Sequence, residues 1–288
     1  LQTATFRVSV TSPTTTGITG TVSLSDGSTA LGNCTLISGT CDVSTGILPV
    51  GERTITAYFR GNANVQASQG TATQTVQRAT TSLTLTSSRA ATTYGESVTF
   101  TVSLSTAAGT PLGTVTLSDG TGAAIGSCSM TTGGTCAITR SNLPVAGSPY
   151  ALTATYLGTA DFAPSTSNTI SHEVSVVPTT IALTASPNPA NEGATVTFSV
   201  DVDATTGTPT GTVAVSDGSG AAIGECTLNG LGQCDVTTAT LPAGTTTVVA
   251  HYLGDGNHGA SSSTSVEQVV KAATTTTVTC VVVVLGAY

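Results

Sequence analysis

The chain has 288 residues, only 8% of them charged, with a formal net charge of −8 and Lys271 as its one lysine. That balance leaves no basic surface for nucleic acid or anionic lipid, and no apolar run is long enough to span a membrane, Val281–Leu285 being far too short. Glycine (32 residues), threonine and valine are abundant, and no twelve-residue window has a helical apolar period, so an all-β chain without long helices is expected.

In chain order, the first segment is TATFRVSV (Thr3–Val10), an alternating strand pattern that carries Phe6. G-T-V-x-x-S-D-G follows at Gly20–Gly27, then Cys34 and Cys41, Leu48-Pro49, and ITAYFRG with Tyr58. After a short link (Val76–Thr80), TTSLTLTSS (Thr80–Ser88) reads as an opening strand, and ESVTFTVSL from Glu96 aligns Phe100 with Phe6. The same landmarks then recur: GTVTLSDG at Gly113–Gly120, Cys128 and Cys136, Leu143-Pro144, and LTATYLG with Tyr156. A second link (Val174–Thr180) leads to the opening strand TTIALTASP (Thr179–Pro187) and to ATVTFSVDV from Ala194, which carries Phe198. GTVAVSDG at Gly211–Gly218, Cys226 and Cys234, Leu241-Pro242, and VVAHYLG with Tyr252 close the third copy. The motif glycine returns after 93 and then 98 residues, a spacing too long for a solenoid unit and suited to whole domains in series.

The expected division is 1–78, 79–176 and 177–270, with 271–288 left over. Copy one starts at its second strand. The tail AATTTTVTC (Ala272–Cys280) matches the missing opening strand, so the sequence is a whole number of repeats cut out of phase. Short strands spaced by turn signals argue for β-sandwiches, and the short links favour a stiff rod. Tyr58, Tyr156 and Tyr252 are placed in register and, like Phe6, Phe100 and Phe198, are read as core. Three cysteine pairs at equivalent places are expected to form cross-hairpin disulfides, Cys34 with Cys41, Cys128 with Cys136, and Cys226 with Cys234, which implies an oxidising compartment. Zinc would need Cys-x-x-Cys knuckles or nearby histidines, and neither is present. Cys280 is the odd one, either a small buried side chain in the tail strand or a bond to a neighbouring chain.

The run of opening strand, YGESVTFTVSL, G-T-V-x-x-S-D-G, Leu-Pro and Y-L-G-x-x-x-F closely resembles the bacterial immunoglobulin-like domains of group 3. The closing piece stands as Tyr156-Leu157-Gly158 with Phe162 and Ser165 in copy two, and as Tyr252-Leu253-Gly254-Asp255 in copy three. The resemblance implies seven-stranded sandwiches from secreted or surface-anchored proteins, acting as stalks and adhesive spacers with no catalytic residues. The cysteine pairs depart from that family, the chain has no Trp, and its cysteines are not placed for the inter-sheet bond of antibody domains.

Other candidate sites read more simply as scaffold. Asp26, Asp119 and Asp217 precede glycine as hairpin turns do. Gly254-Asp255-Gly256-Asn257 resembles a calcium loop only in part, and its counterparts do not keep the acid. Gly120–Gly126 leads into a strand and not into a helix N-terminus, so it is no phosphate loop. His172, His251 and His258 have no counterparts in the other copies and no nucleophile signature nearby, so no enzyme and no cofactor is expected.

The tail is different. Where the other opening strands continue into polar residues, it continues as Val281, Val282, Val283, Val284 and Leu285, an aggregation-prone run if left free. One reading makes Thr276, Val278, Cys280 and that run a donor strand for an acceptor groove at Thr5, Phe6, Val8 and Val10 of the next copy. That is β-augmentation, and it yields an extracellular head-to-tail homopolymer because donor and acceptor are different surfaces. The other reading of the tail is an arbitrary cut end. The alternative function is a spacer within a long cell-surface adhesin. Carbohydrate or ice binding on threonine faces ranks last, because the threonines are scattered among all strands.

Overall fold

The structure is a computed structural model that describes residues 2–280. The first compact unit holds sandwich one and most strands of sandwich two; the second holds the rest of sandwich two and sandwich three.

Sandwich one is built from β1 (Ala4–Ser9), β2 (Gly20–Asp26), β3 (Thr29–Leu36), β4 (Thr40–Thr45), β5 (Gly51–Phe59) and β6 (Ser68–Val76). They form a two-stranded sheet, β1-β4, facing a four-stranded one, β3-β2-β5-β6. Sandwich two comprises β7 (Thr81–Ser87), β8 (Ala91–Thr93), β9 (Val98–Thr106), β10 (Thr114–Ser118), β11 (Ala124–Ser129), β12 (Thr135–Arg140), β13 (Tyr150–Tyr156), β14 (Ser165–Thr166) and β15 (Ile170–Ser175). Its sheets run β12-β9-β7 and β11-β10-β13-β15-β8, with β14 beside β13. Sandwich three repeats this with β16 (Thr179–Ser186), β17 (Ala190–Asn191), β18 (Val196–Ala204), β19 (Thr212–Asp217), β20 (Ala222–Thr227), β21 (Gln233–Thr238), β22 (Gly244–Tyr252), β23 (Ser261–Ser262) and β24 (Val266–Lys271). Its sheets are β16-β18-β21 and β17-β24-β22-β19-β20. A single 3-10 turn, Val145–Gly147, is the one helical piece among the described residues.

The period-two pattern explains the cores. In β9, Val98, Phe100, Val102 and Leu104 all point inward and are buried; in β18, Val196, Phe198, Val200 and Val202 do the same. Opposite them lie Val115, Leu117, Leu152 and Tyr156, or Val213, Val215, Val248 and Tyr252.

Three sequence expectations change. Tyr58 is not in register with Tyr156 and Tyr252, because Val22 pairs with Phe59 where Val115 pairs with Tyr156 and Val213 with Tyr252. Phe59 therefore fills the core position, and Tyr58, one residue out of phase, is 43% exposed on the outer face. The cysteine bonds do not cross one ladder. Cys34 on β3 joins Cys41 on β4, and β3 and β4 belong to different sheets; Cys128–Cys136 and Cys226–Cys234 repeat this between β11 and β12 and between β20 and β21. Each bond staples the two sheets at a corner that the chain turns tightly, as at Ile37–Thr40. Finally, the Asp-Gly step opens the hairpin turn in all three copies, the Asp119 and Asp217 carbonyls accepting from the Gly122 and Gly220 amides, but only in copy one does its glycine carry the positive φ, with Gly27 at 57°. In copies two and three the positive φ falls two residues later, at Gly122 and Gly220. There Asp119 accepts hydrogen bonds from Thr121 and Ala123, and Asp217 from Ser219 and Ala221.

The last strand of the larger sheet also differs. In sandwiches two and three it breaks where the hydroxyls of Ser167 and Ser263 accept the amide hydrogens of Ala154 and Ala250. Gly70 stands at that place in sandwich one, without a hydroxyl, and β6 pairs with β5 unbroken from Ser68 to Val76.

Candidate strand-docking edge

In sandwich two, β7 pairs antiparallel with β9 from Thr81↔Thr106 to Ser87↔Phe100, and buries Leu83 and Leu85. In sandwich three, β16 pairs with β18 from Thr179↔Ala204 to Ser186↔Thr197. Asn168 adds a two-way clamp: its Oδ1 accepts from the Leu85 amide at 3.0 Å and its Nδ2 donates to the Leu85 carbonyl at 3.1 Å. The equivalent edge in sandwich one is the free side of β1, which among the described residues pairs only with β4.

The consequence is visible in burial. Phe100, Val102, Phe198 and Val200 are shut away, whereas Phe6 and Val8, their counterparts, are only half-buried against the core of sandwich one. Val10 is likewise half-buried. A cleft of about 230 Å³ lies beside them, lined by Val8, Val10, Val22, Ala57 and Phe59 with Ser68–Gly70 at its rim. Of the four acceptor residues read from sequence, Val8 and Val10 line this cleft and Phe6 lies on the same face. Thr5 is a correction, since its side chain faces outward, where its hydroxyl lies 2.8 Å from that of Ser44. Alternation dictates this, with even positions of β1 inward and odd ones outward. Sequence reading missed the far wall, Val22, Ala57, Phe59 and Ser68, because it is assembled from three strands distant in the chain. Its one legible signal is that Ser68 recurs as Ser165 and Ser261, each opposite the aromatic that follows G-T-V across the sheet.

Of the proposed donor residues, Thr276, Val278 and Cys280 are exposed and belong to no strand; Val278 is 87% exposed and Cys280 is a free thiol. Val281, Val282, Val283, Val284 and Leu285 lie outside the described residues.

The remaining candidates have local roles. Asp255 Oδ1 accepts from the amides of Asn257 and His258, and its Oδ2 from Thr210 N and Oγ1. Burial works against its ionisation, but the Asn257 amide, His258 and Thr210 outweigh that and hold the carboxyl well below the usual range. Burial, followed by the nearby Asp255 charge, pushes the Tyr252 phenol up to about 12. The Tyr252 hydroxyl donates to the Thr210 carbonyl at 2.7 Å, as Tyr156 does to Leu112 at 2.9 Å. Within the second unit, His258 sits between Asp255 and the Thr206 carbonyl, with the Tyr94 ring edge-on at 6.1 Å, and Thr206 Oγ1 donates to the Tyr94 carbonyl at 2.7 Å. His172 is fully buried, with Nε2 3.1 Å from Thr92 Oγ1. His251 lies 2.9 Å from the Ser262 hydroxyl on the surface. Among the described residues, no three His, Cys, Asp or Glu side chains gather as a metal site would require, and no helix is long and apolar enough to cross a membrane.

The family model for the bacterial Ig-like domain (group 3) matches three times, over residues 2–77, 85–175 and 183–271. No curated protein sequence matches significantly. Among solved structures, the tetra-tandem repeat from the extending region of a large adhesion protein is similar at 17% identity and a TM-score of 0.46, covering 86% of this chain and 65% of that one. The Escherichia coli adhesin FdeC is similar at 18% identity and a TM-score of 0.33, over 89% of this chain and 87% of that one. Fibronectin(III)-like modules of Clostridium thermocellum CbhA match at 17% identity and a TM-score of 0.28, over 65% of this chain and 94% of those modules. The chain spans only 24% of Escherichia coli alpha-2-macroglobulin, which matches at 11% identity, a TM-score of 0.27 and 94% of this chain.

Proposed function

The chain belongs to the bacterial Ig-like domain family of group 3, and from that premise we propose that it is a structural subunit of an extracellular fibre, extended by strand addition between copies. One observation carries the reading. Among the described residues, sandwich one has a two-stranded sheet where its sisters have three strands, and along that edge Phe6, Val8 and Val10 are only half-buried. An unpaired edge beside an open core is a template for a further strand. Burying each apolar side chain contributes roughly 1.5–3 kcal/mol, and each ladder hydrogen bond adds about 0.5–1.5 kcal/mol net. Segment 272–280 is exposed and resembles the opening strands β7 and β16 in sequence. Three sheet-stapling disulfides fit an oxidising, extracellular setting.

A second reading, a spacer in a long surface adhesin, rests on β7 and β16, each supplied by the stretch of chain just before its sandwich. A covalently preceding segment would then complete sandwich one too. The test is assembly of the purified chain, followed by electron microscopy and sedimentation. Fibres that vanish on deletion of residues 271–288 are expected. A chain that stays monomeric at high concentration would decide for the spacer, and fibres indifferent to the deletion would overturn strand addition by the tail.

A further inference from the structure

The opening strands of sandwiches two and three are held by one shared polar contact. The Thr81 hydroxyl lies 2.9 Å from the Ala163 carbonyl and 2.7 Å from the Ser165 hydroxyl. The Thr179 hydroxyl repeats this at 2.8 Å from the Gly259 carbonyl and 2.7 Å from the Ser261 hydroxyl. Two and four residues after the threonine come the inward apolar side chains, Leu83 and Leu85, or Ile181 and Leu183. Leu85 lies opposite Val102 and Leu183 opposite Val200. Val200 in turn faces Cys234, as Val8 faces Cys41 in sandwich one. The threonine thus sets the register of the whole strand against the core.

Sandwich one keeps the receiving half of this contact. Ser68 pairs with Phe59 as Ser165 pairs with Tyr156 and Ser261 with Tyr252, but Ser68 is exposed and its hydroxyl has no hydrogen-bond partner among the described residues. Gln74 stands where His172 and Gln268 stand. Its Nε2 donates to the next residue's carbonyl, Thr75, as Gln268 Nε2 donates to Val269. Gln268 Nε2 also donates to the Pro187 carbonyl just beyond the opening strand, and His172 Nδ1 lies 3.2 Å from the equivalent Arg89 carbonyl; Gln74 has no such second contact among the described residues. The same spacing, a threonine followed by apolar residues two and four places on, occurs in Thr276, Val278 and Cys280.

Resting on the fibre reading above, we infer that the open edge of sandwich one is a threonine-keyed receptor. Its occupant is the 276–280 strand of a second copy, in the one register that sets Thr276 against Ser68, Val278 opposite Val10 and Cys280 opposite Val8. Cys280 then takes the place of a buried leucine and is no intermolecular disulfide. In this register the outward pairs follow from Thr84↔Ser103 and Ser82↔Ser105, putting Thr279 opposite Ser9 and Thr277 opposite Thr11.

Disulfide trapping of the full chain tests the register through outward-facing pairs. In a Cys280→Ser background, Ser9→Cys with Thr279→Cys is expected to give a ladder of covalently linked copies under mild oxidation. Ser9→Cys with Thr277→Cys, two residues out, is expected to give at least several-fold less. Ser68→Ala should weaken assembly by about threefold to tenfold, the worth of one hydrogen bond, while Ser165→Ala, inside a completed sandwich, should leave assembly unchanged. A ladder favouring the Thr277 pair, or assembly indifferent to Ser68→Ala, would overturn the keyed register while strand addition itself stands. No assembly by the unaltered chain would overturn both.

Discussion

At the scale of single residues, the three copies act as internal controls for one another. His172 and Gln268 occupy the same buried place, and Thr92 and Ala190 the same rung beside them, as Val174↔Thr92 and Val270↔Ala190 show. Thr92 supplies a hydroxyl to His172; Ala190 has none, and Gln268 Oε1 is left buried without a hydrogen-bond partner. An unmet buried acceptor is costly. Ala190→Ser is therefore expected to stabilise sandwich three by about 1 kcal/mol, read from denaturant unfolding. Asp255 works in the opposite sense. Its carboxyl is held low in the folded state, so its contribution is complete above the unfolded value near pH 4 and fades as pH falls below it. Asp255→Asn should destabilise sandwich three by about 2 kcal/mol at neutral pH. That deficit should shrink as acid unfolding curves are taken below about pH 4.

At the scale of elements, the Y-L-G step is a turn with no room for a side chain. Gly158 has φ 80°, and a Cβ there would lie 2.6 Å from the Phe162 carbonyl oxygen; Gly61 and Gly254 meet the equivalent carbonyl oxygens of Val65 and His258 at 2.8 and 2.9 Å. Gly158→Ala should cost sandwich two more than about 2 kcal/mol, measured as a lower unfolding midpoint. This turn places Ser165 opposite Tyr156, so the contact that receives Thr81 depends on it. The disulfides serve the elements differently. Each closes a loop of about eight residues, worth roughly 2.5 kcal/mol in the chain-entropy model, and ties an edge strand of one sheet to an edge strand of the other. In sandwich one that staple holds β4, the only partner of β1 among the described residues.

At the scale of the whole molecule, each sandwich has its own core, so stability is uneven along the chain. Sandwich one buries less of its second strand than the others. In the unassembled chain, amide hydrogens of β1 are expected to exchange well before those of β9 and β18, as hydrogen-exchange mass spectrometry would show. Assembly by strand addition should then slow the β1 amides selectively. Equal protection of all three strands in the monomer would mean the edge of sandwich one is already closed.

The sequence by itself determined the repeat, the all-β class, the cysteine pairs and the inward face of β1 through Phe6, Val8 and Val10. These follow from local chemistry: alternation with period two, turn residues at fixed offsets, and recurrence of whole motifs. It also misplaced what a one-residue slip controls, taking Tyr58 for Phe59, because alternating runs such as ITAYF read equally well in either phase, and it counted the outward-facing Thr5 with the groove. Only the tertiary structure decided that the cysteine bonds join two sheets, that the glycine of Asp-Gly takes the positive φ in copy one alone, and that Ser68, among the described residues, lacks the threonine partner that Ser165 and Ser261 find in Thr81 and Thr179. Those are properties of strands far apart in the chain meeting across a core, and the register of such a meeting is set by packing that no local pattern records.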